Sequence, residues 1–500
     1  MPTVPLIASA TTDERTLVLY LGAIGIVIVI ASLVSGLVER LPVSPVLVFV
    51  ALGVLLGPHG TGTFDLGLTS PLIVEVASVA LTLVLFTDAM TINLGQLRTN
   101  WLPAALVLGP GALLTIALIA VAALGLFRPP PALALLVGAI LASTDGILVR
   151  DLTRDQRVPL AIRHTLRVEA GANDLIVLPL VLVLASLAAG HASDLGALGR
   201  LLFGIVIVAP VVGVVVALVA VRLMAWLRQR RLVRREYESI YSLGVALVAF
   251  AAAQLLGGSG FLAAFAAGLT ILFVDVDLCD CFLEYGETTA EVAMLVTFVL
   301  LGSTIVTSAL AALDARTLVF AAFTLLVARP LAMLLVLAKA TLSRDGKLVL
   351  AWFGPRGLGS ILLLIVALAE GVPAGDGLTG VVCLVVLASV VLHGLTGTPL
   401  ARWYGRRATA TELPEETIAD AGKMLRPSPV PGDPVRRIRP EVLKAMLDAG
   451  EPVTVIDTRR LSGFPASGDM IAGALRIPVD EIPARAATLP KGPPIVLYCA

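Results

Sequence analysis

The sequence predicts an all-α polytopic membrane protein of about thirteen transmembrane helices, followed by a small partial α/β domain. Three observations carry this reading. Hydrophobic residues make up 58% of the 500 residues and charged ones 14%, against about 25% charged in a soluble globular domain, and mean hydropathy is +0.96. The apolar residues fall into stretches close to the ~20 that a spanning helix needs. After Tyr404 the composition turns polar and proline-rich. A water-soluble enzyme and a disordered chain are both excluded. The 36 basic and 36 acidic residues balance, so no basic excess points to a nucleic-acid partner. Four cysteines do not make a disulfide framework. The expected surrounding is a lipid bilayer.

The expected spans are 17–38, 43–57, 71–92, 102–126, 131–149, 162–189, 198–225, 237–256, 259–274, 287–309, 316–338, 346–369 and 378–401. Breaks such as Gly57-Pro58-His59-Gly60 and Arg128-Pro129-Pro130-Pro131 mark helix ends, because proline lacks the amide donor and restricts φ. Only Gly257-Gly258 separates the eighth span from the ninth. The residues before the first apolar run, Asp13-Glu14-Arg15 among them, do not make the positively charged segment of a secretory signal, so that run reads as a retained helix and not a cleaved signal. The odd-numbered connections hold Arg40, Arg98, Arg150, Arg154, Arg157, the Arg228–Arg235 cluster, Arg344 and Lys347, whereas the even-numbered ones hold Arg128 and Arg316 outside the helices. Positive residues stay cytoplasmic, so the N-terminus is expected outside and the C-terminus inside, in the cell (inner) membrane.

The domain boundaries follow from composition: a membrane domain over 1–404, a linker over 405–440 and a partial α/β domain over 441–500. The linker carries Arg426-Pro427-Ser428-Pro429 and Pro431-Gly432-Asp433-Pro434. In the tail, Val453–Asp457 and Ile495–Cys499 read as short buried strands, with a helix or turn expected over 479–489.

An ionisable side chain at bilayer depth is costly, so each is a functional-site hypothesis by default. The candidates are Asp88 in the third span, Asp145 beside Thr144 in the fifth, Arg167, Glu169 and Asp174 (after Asn173) in the sixth, Arg329 in the eleventh and Arg356 in the twelfth. One such residue is as easily a structural ion pair or a helix end. Both signs recurring in one bundle point to a polar pathway. Ser143-Thr144-Asp145-Gly146 and Gly354-Pro355-Arg356-Gly357 look like interruptions of their helices. Backbone freed in that way is tolerated at depth only where it lines a cavity or is buried in protein, and paired interruptions mark transporter substrate sites. Inverted repeats with two broken crossing helices are expected, divided as spans 2–7 and 8–13. That division leaves the two breaks out of register by one.

Several stretches together resemble the monovalent cation:proton antiporters of the sodium/proton exchanger type. They are Leu41-Pro42-Val43-Ser44-Pro45 running to Gly57-Pro58, Leu85-Phe86-Thr87-Asp88, Ala142–Asp145, Glu169–Asp174, Gly258–Phe265, Gly354–Gly357 and His393-Gly394-Leu395-Thr396. The resemblance implies that Asp174 carries the cation or the proton, with Thr144 offering a backbone carbonyl and Asp88 a further ligand. Asn173 and Asp145 complete the ion- and proton-binding set. It implies a buried Glu169–Arg356 pair and a supporting basic residue at Arg329. It also implies a homodimer and no cofactor beyond the transported monovalent cation and H+. Ala170 stands where the family often has serine, and Gly146 where proline commonly follows Thr-Asp; both bear on cation choice.

A buried carboxylate avoids net charge, and either a proton or a cation can neutralise it. Competition at Asp174 is then sufficient for exchange under alternating access, with Na+ expected first and K+ and Li+ as alternatives. Neutral Asn173 leaves one carrier carboxylate, so one-for-one electroneutral exchange is expected. Other features carry less. Cys279-Asp280-Cys281 lacks a zinc ligand set, the four histidines have no metal spacing, and no phosphate-binding Gly-x-x-x-x-Gly-Lys loop supports ATP-driven pumping. The tail, through Val455–Arg459, Gly468–Ala474 and Cys499, resembles a rhodanese-like domain in which Cys499 would accept sulfur. Only Ala500 follows that cysteine, so a complete sulfurtransferase site is not expected. The competing readings are another ion-coupled solute transporter and a membrane-tethered sulfurtransferase or sensor.

Overall fold

The computed structural model describes residues 45–410, except 59, 63–66, 93–100, 147–148, 150–151, 154–157, 192–193, 231, 234–236, 275 and 374–375, together with 440–458, 470–477, 494–498 and the isolated positions 22, 25, 29 and 485. The chain divides into two compact units, Met1–Met424 and Leu425–Ala500.

The first unit is helical. Its elements are α1 (Pro45–Leu56), α2 (Pro71–Thr91), α3 (Trp101–Leu126), α4 (Pro131–Ala142), α5 (Leu160–Ala188), α6 (Leu195–Gln229), α7 (Glu238–Leu255), α8 (Gly260–Val274), α9 (Val276–Ala311), α10 (Ala315–Val336), α11 (Arg344–Trp352), α12 (Leu358–Ala369) and α13 (Asp376–Ala410). Among the described residues, seven helices are long and apolar enough to cross a membrane: α2, α3, α5, α6, residues 292–311 of α9, α10, and most of α13. Five shorter apolar helices accompany them, Val46–Leu56, Pro131–Ala142, Ile240–Leu255, Gly260–Val274 and Leu358–Ala369. Together they fall on the second to thirteenth expected spans. The first, 17–38, lies outside the described residues apart from positions 22, 25 and 29, so thirteen stays an expectation.

Helix starts follow local chemistry. Ser70, Asp194, Asp314 and Ser343 each accept a hydrogen bond from the amide three residues on, which satisfies an otherwise orphaned donor. Their contacts also act on ionisation where the group is outside the membrane: hydrogen bonds from Thr317 hold the Asp314 carboxyl below its usual range. The boundary that rested on Gly257-Gly258 holds because Gly257 takes φ +76° and the Gly258 amide reaches back to the Ala253 carbonyl at 2.8 Å, a left-handed helix stop that glycine adopts without Cβ strain.

Three helices contain one wider turn each: Val107–Gly111 in α3, Gly204–Val208 in α6 and Thr324–Ala328 in α10. Pro110 lies inside the first, and Pro210 and Pro330 lie two residues beyond the others. A helical proline has no amide to donate and crowds the carbonyl four residues back, and the extra residue in the turn relieves both faults. Wide turns in α3 and α10, with breaks after α4 and α11, recur seven helices apart. This spacing fits a repeat that pairs spans 4 and 5 with spans 11 and 12, in place of the division into spans 2–7 and 8–13, although α6 carries a wide turn as well.

Packing brings α2, α5, α4 and α13 around α12, while α1 lies against α9 and α8 between α2 and α6. At the α1–α9 crossing, Gly53 and Gly302 bring the two backbones into contact, and a Cβ at Gly302 would come within 2.6 Å of the Val50 carbonyl. Small residues at such crossings are what close membrane-helix packing needs. On α6, Val211, Val215 and Val219 point outward and are more than half exposed, an apolar face suited to lipid.

α13 continues past Tyr404 to Ala410. Arg407 pairs with Asp345 at 2.7 Å and lies over the Trp403 ring, which ties down the extra turn.

The second unit has a helix, α14 (Pro440–Asp448), and three strands, β1 (Thr454–Asp457), β2 (Leu475–Arg476) and β3 (Ile495–Tyr498). The sheet is parallel in order β2-β1-β3, with Ile456 and Asp457 fully buried at its centre. The Tyr498 hydroxyl donates to Asp457 Oδ2 at 2.9 Å. Both expected strands form, but only β1 is buried as expected: Ile495 and Leu497 on β3 are exposed. Cys499 lies outside the described residues, as does the stretch 479–489 apart from Arg485.

Candidate functional site

Both expected interruptions are real, and they meet. α4 stops at Ala142 because Ser143 turns to an extended conformation, φ −60°, ψ 135°. α11 stops at Trp352, and residues 353–357 run as non-helical chain before α12. Between the breaks, the Asp145 amide donates to the Pro355 carbonyl at 2.9 Å. Ser143, Thr144, Asp145 and Arg356 are all buried.

Freed helix ends in an apolar interior leave carbonyls and amides without partners, and here charged side chains from other elements take them up. Arg356 Nη1 donates to the Ala142 and Ser143 carbonyls at 2.7 and 3.1 Å, closing the C-terminal end of α4. Arg329 Nη2 donates to the Phe353 and Leu350 carbonyls at 2.7 and 3.3 Å, closing the end of α11. Asp145 Oδ2 accepts from the Leu358 amide at 2.8 Å, at the start of α12. Each charge has the sign that the helix dipole favours at that end. Two glycines make the approach possible. A Cβ on Gly354 would occupy the Arg329 guanidinium, and one on Gly357 would overlap the Asp145 carboxylate.

The expected Glu169–Arg356 pair is corrected by this geometry. Glu169 instead takes Arg329 as a two-pronged pair, Nη1 to Oε1 at 2.6 Å and Nη2 to Oε2 at 3.0 Å. Arg356 is spent on the carbonyls of α4. The wide turn in α10 ends at Ala328, directly before Arg329, and one added residue rotates everything beyond it by roughly 100° about the helix. Sequence spacing alone does not register that rotation.

Asp174 lies on α5 and is buried, 7% exposed. Its Oδ1 accepts from the Ser143 hydroxyl at 3.0 Å, and among the described residues it has no ion pair. Asn173 donates to the Ala142 carbonyl at 3.1 Å and to Thr144 Oγ1 at 3.3 Å. Asp88 lies on α2 against Gly171, where a Cβ would meet its carbonyl at 3.5 Å, one turn before Asp174. The structure therefore gathers Asp174, Asn173, Thr144 and Asp145 at the first break and sets Asp88 beside α5. Asp145 acts there as a helix cap. Arg167 is exposed and donates to the Thr153 carbonyl at 3.4 Å, away from this centre.

Sequence reasoning missed three residues. Ser143 was visible as part of Ser-Thr-Asp but went unassigned. Ser389 accepts from the Arg356 amide at 2.7 Å. His393 sits with Nδ1 3.1 Å from Ser389 Oγ and Nε2 3.2 Å from the Trp352 carbonyl, tying α13 to the second break. Ser389 and His393 are one turn apart on an apolar helix, a signal that the sequence did carry.

Comparison with known proteins bears directly on this crossing. The model of the transmembrane part of sodium/hydrogen exchangers matches residues 26–403. The chain belongs to that family. It is thus a multi-pass secondary transporter of the cation:proton antiporter class and not an enzyme. Curated relatives include a K(+)/H(+) antiporter NhaP of Alkalimonas amylolytica, 27% identical over 405 residues, covering 80% of this chain and 69% of the relative. A K(+)/H(+) antiporter NhaP2 of Shewanella oneidensis is 29% identical over 386 residues, covering 75% and 65%. The chain thus spans about two thirds of the length of these relatives. The fold is similar to that of the sodium proton antiporter MjNhaP1 from Methanocaldococcus jannaschii, with a TM-score of 0.65 at 22% identity, covering 78% of this chain and 99% of that one.

Proposed function

We propose that this exchanger moves a monovalent cation, Na+ or K+, against H+ by alternating access, the two species competing for Asp174. One observation carries the reading: Asp174 is a buried carboxylate at the meeting of two broken helices, bonded by one hydroxyl and, among the described residues, paired with no cation, while the guanidiniums of Arg329 and Arg356 are engaged elsewhere. An unpaired buried anion is unstable, so it binds whichever cationic partner arrives. The carboxylate of Asp174, the oxygens of Thr144 and the carboxylate of Asp88 form the proposed ligand set; hard oxygens suit an alkali cation, by analogy with the rules for Ca²⁺ and Mg²⁺. Asp145, committed to α12, is left out of that set.

The sequence put Na+ first. The names of the two curated relatives support K+, and that of the structural neighbour supports Na+. Asn173 is neutral and donates both bonds to the break, which favours one-for-one electroneutral exchange. Inverted repeats, an outside N-terminus, a cytoplasmic C-terminus in the inner membrane, a homodimer, and a linker with a partial rhodanese-like tail are part of the same proposal on sequence grounds.

The test is proton flux in everted or reconstituted vesicles carrying an imposed pH gradient, challenged with Na+, K+ or Li+, for the parent and Asp174→Ala. Cation-dependent collapse of the gradient in the parent, absent in the variant, is expected. Flux that survives Asp174→Ala moves the carrier elsewhere, and a current that follows membrane potential rules out electroneutral exchange.

A further inference from the structure

Ser143 is the least expected member of the crossing. Its hydroxyl lies 3.0 Å from Asp174 Oδ1, the residue is 1% exposed, and its backbone is pinned by Arg356 at the carbonyl. On the other side, a Cβ at Gly359, in the first turn of α12, would stand 3.1 Å from Ser143 Oγ. The hydroxyl is thus enclosed between the carboxylate on α5 and the start of α12. A serine hydroxyl has one hydrogen and two lone pairs, and it rotates without displacing heavy atoms. Those properties allow three partners in turn: it donates to ionised Asp174, accepts from protonated Asp174, or turns a lone pair towards a cation held by Asp174.

We propose that the Ser143 hydroxyl is a direct member of the ion site and sets the balance between cation and proton at Asp174. This rests on the proposed role of Asp174. Other ionisable groups lie on the neighbouring elements: Asp145 on the first break, Asp88 on α2, the Glu169–Arg329 pair joining α5 to α10, Arg356 on the second break and His393 on α13. Asp145, the Glu169–Arg329 pair, Arg356 and His393 are each held by side-chain contacts of their own. Ser143 donates to the carboxylate and is free to reverse.

Removal of the hydroxyl deprives ionised Asp174 of a charge-assisted hydrogen bond and deprives the cation of an oxygen. In reconstituted vesicles, Ser143→Ala is expected to raise the cation concentration for half-maximal exchange about tenfold. It is expected to move the pH–activity profile about one unit alkaline and to keep the maximal rate within about threefold. Alanine is smaller than serine and adds nothing to the packed site, so folding is retained, as checked by thermal unfolding in detergent. Ser360→Ala serves as the control: that hydroxyl donates to the Ser143 carbonyl at 3.5 Å and, among the described residues, makes no hydrogen bond to Asp174, and its loss is expected to leave half-saturation and profile at parent values.

Parent-like half-saturation and pH profile in Ser143→Ala overturn the proposal, and so does a fall in maximal rate and unfolding temperature with both unchanged. Asp174→Ala is run beside it. An active Asp174→Ala brings down the reading of the site itself, whereas an inactive one beside an unaltered Ser143→Ala brings down this inference alone.

Discussion

The two breaks differ in what they hold. The first, Ser143-Thr144-Asp145, carries hydroxyls and a carboxylate and touches Asp174 and Asn173 on α5. The second, Phe353 to Gly357, has glycines at the two points where Arg329 and Asp145 press in, and its contacts run to α10, α13 and the first break. The first break is the chemical side and the second is the frame. Yet neither is complete alone, because Arg356 from the frame closes α4 and Asp145 from the chemical side opens α12. Two interruptions that would each expose bare backbone in an apolar interior become tolerable as a pair.

That contrast can be broken most severely at the frame. Arg329→Met leaves Glu169 as a buried charge without this partner and frees the Leu350 carbonyl of α11 and the Phe353 carbonyl just beyond it. A cost of roughly 3–5 kcal/mol is expected, seen as loss of monodisperse protein on size exclusion. Gly354→Ala and Gly357→Ala come next, on the order of 1–3 kcal/mol each from overpacking against Arg329 and Asp145. Gly146→Ala, after the first break, tests the asymmetry, because its new Cβ meets only the Ala170 side chain at 3.6 Å, an ordinary contact. Thermal unfolding of the three glycine variants should therefore separate Gly146→Ala from the other two; equal losses would erase the distinction between frame and chemical side.

On the chemical side, Asn173→Asp replaces a donor by an acceptor facing the Ala142 carbonyl and Thr144 Oγ1. About 1–3 kcal/mol of destabilisation is expected, together with loss of electroneutrality, read as potential-dependent flux. The smallest effect lies outside both breaks. The Asp314 carboxyl, held low by its cap to Thr317, contributes stability that is present above the usual value of 3.8 and lost as pH falls through its depressed one. Asp314→Asn should flatten the acid limb of a melting-temperature profile and leave neutral pH unchanged.

Much of this was legible in the sequence, because apolar length and proline punctuation are local signals. α5 and α10 fall within a few residues of their expected spans, and both breaks fall on their motifs. What the sequence hid was rotational or non-local. The Glu169–Arg356 pair came from the family resemblance, whereas the partner in the structure is Arg329, a side chain that follows a wide turn which sequence spacing does not register. The wide turns in α3 and α10 were masked in the same way, because they have no composition of their own beyond a nearby proline. Ser143 was hidden differently: a serine beside a threonine and an aspartate reads as part of the break, and only proximity to α5 gives it a separate task.

The reciprocal caps also have a mechanical meaning. Asp145 and Arg356 hook across the crossing in opposite directions, like two tongues of one latch. To pull the breaks apart, both would have to release together and strand two buried charges with their helix ends. The crossing therefore behaves as one stiff part. On the proposed alternating-access reading, the ion route is expected to open along the outer seams of the crossing, past neighbouring helices, with the latch itself kept shut.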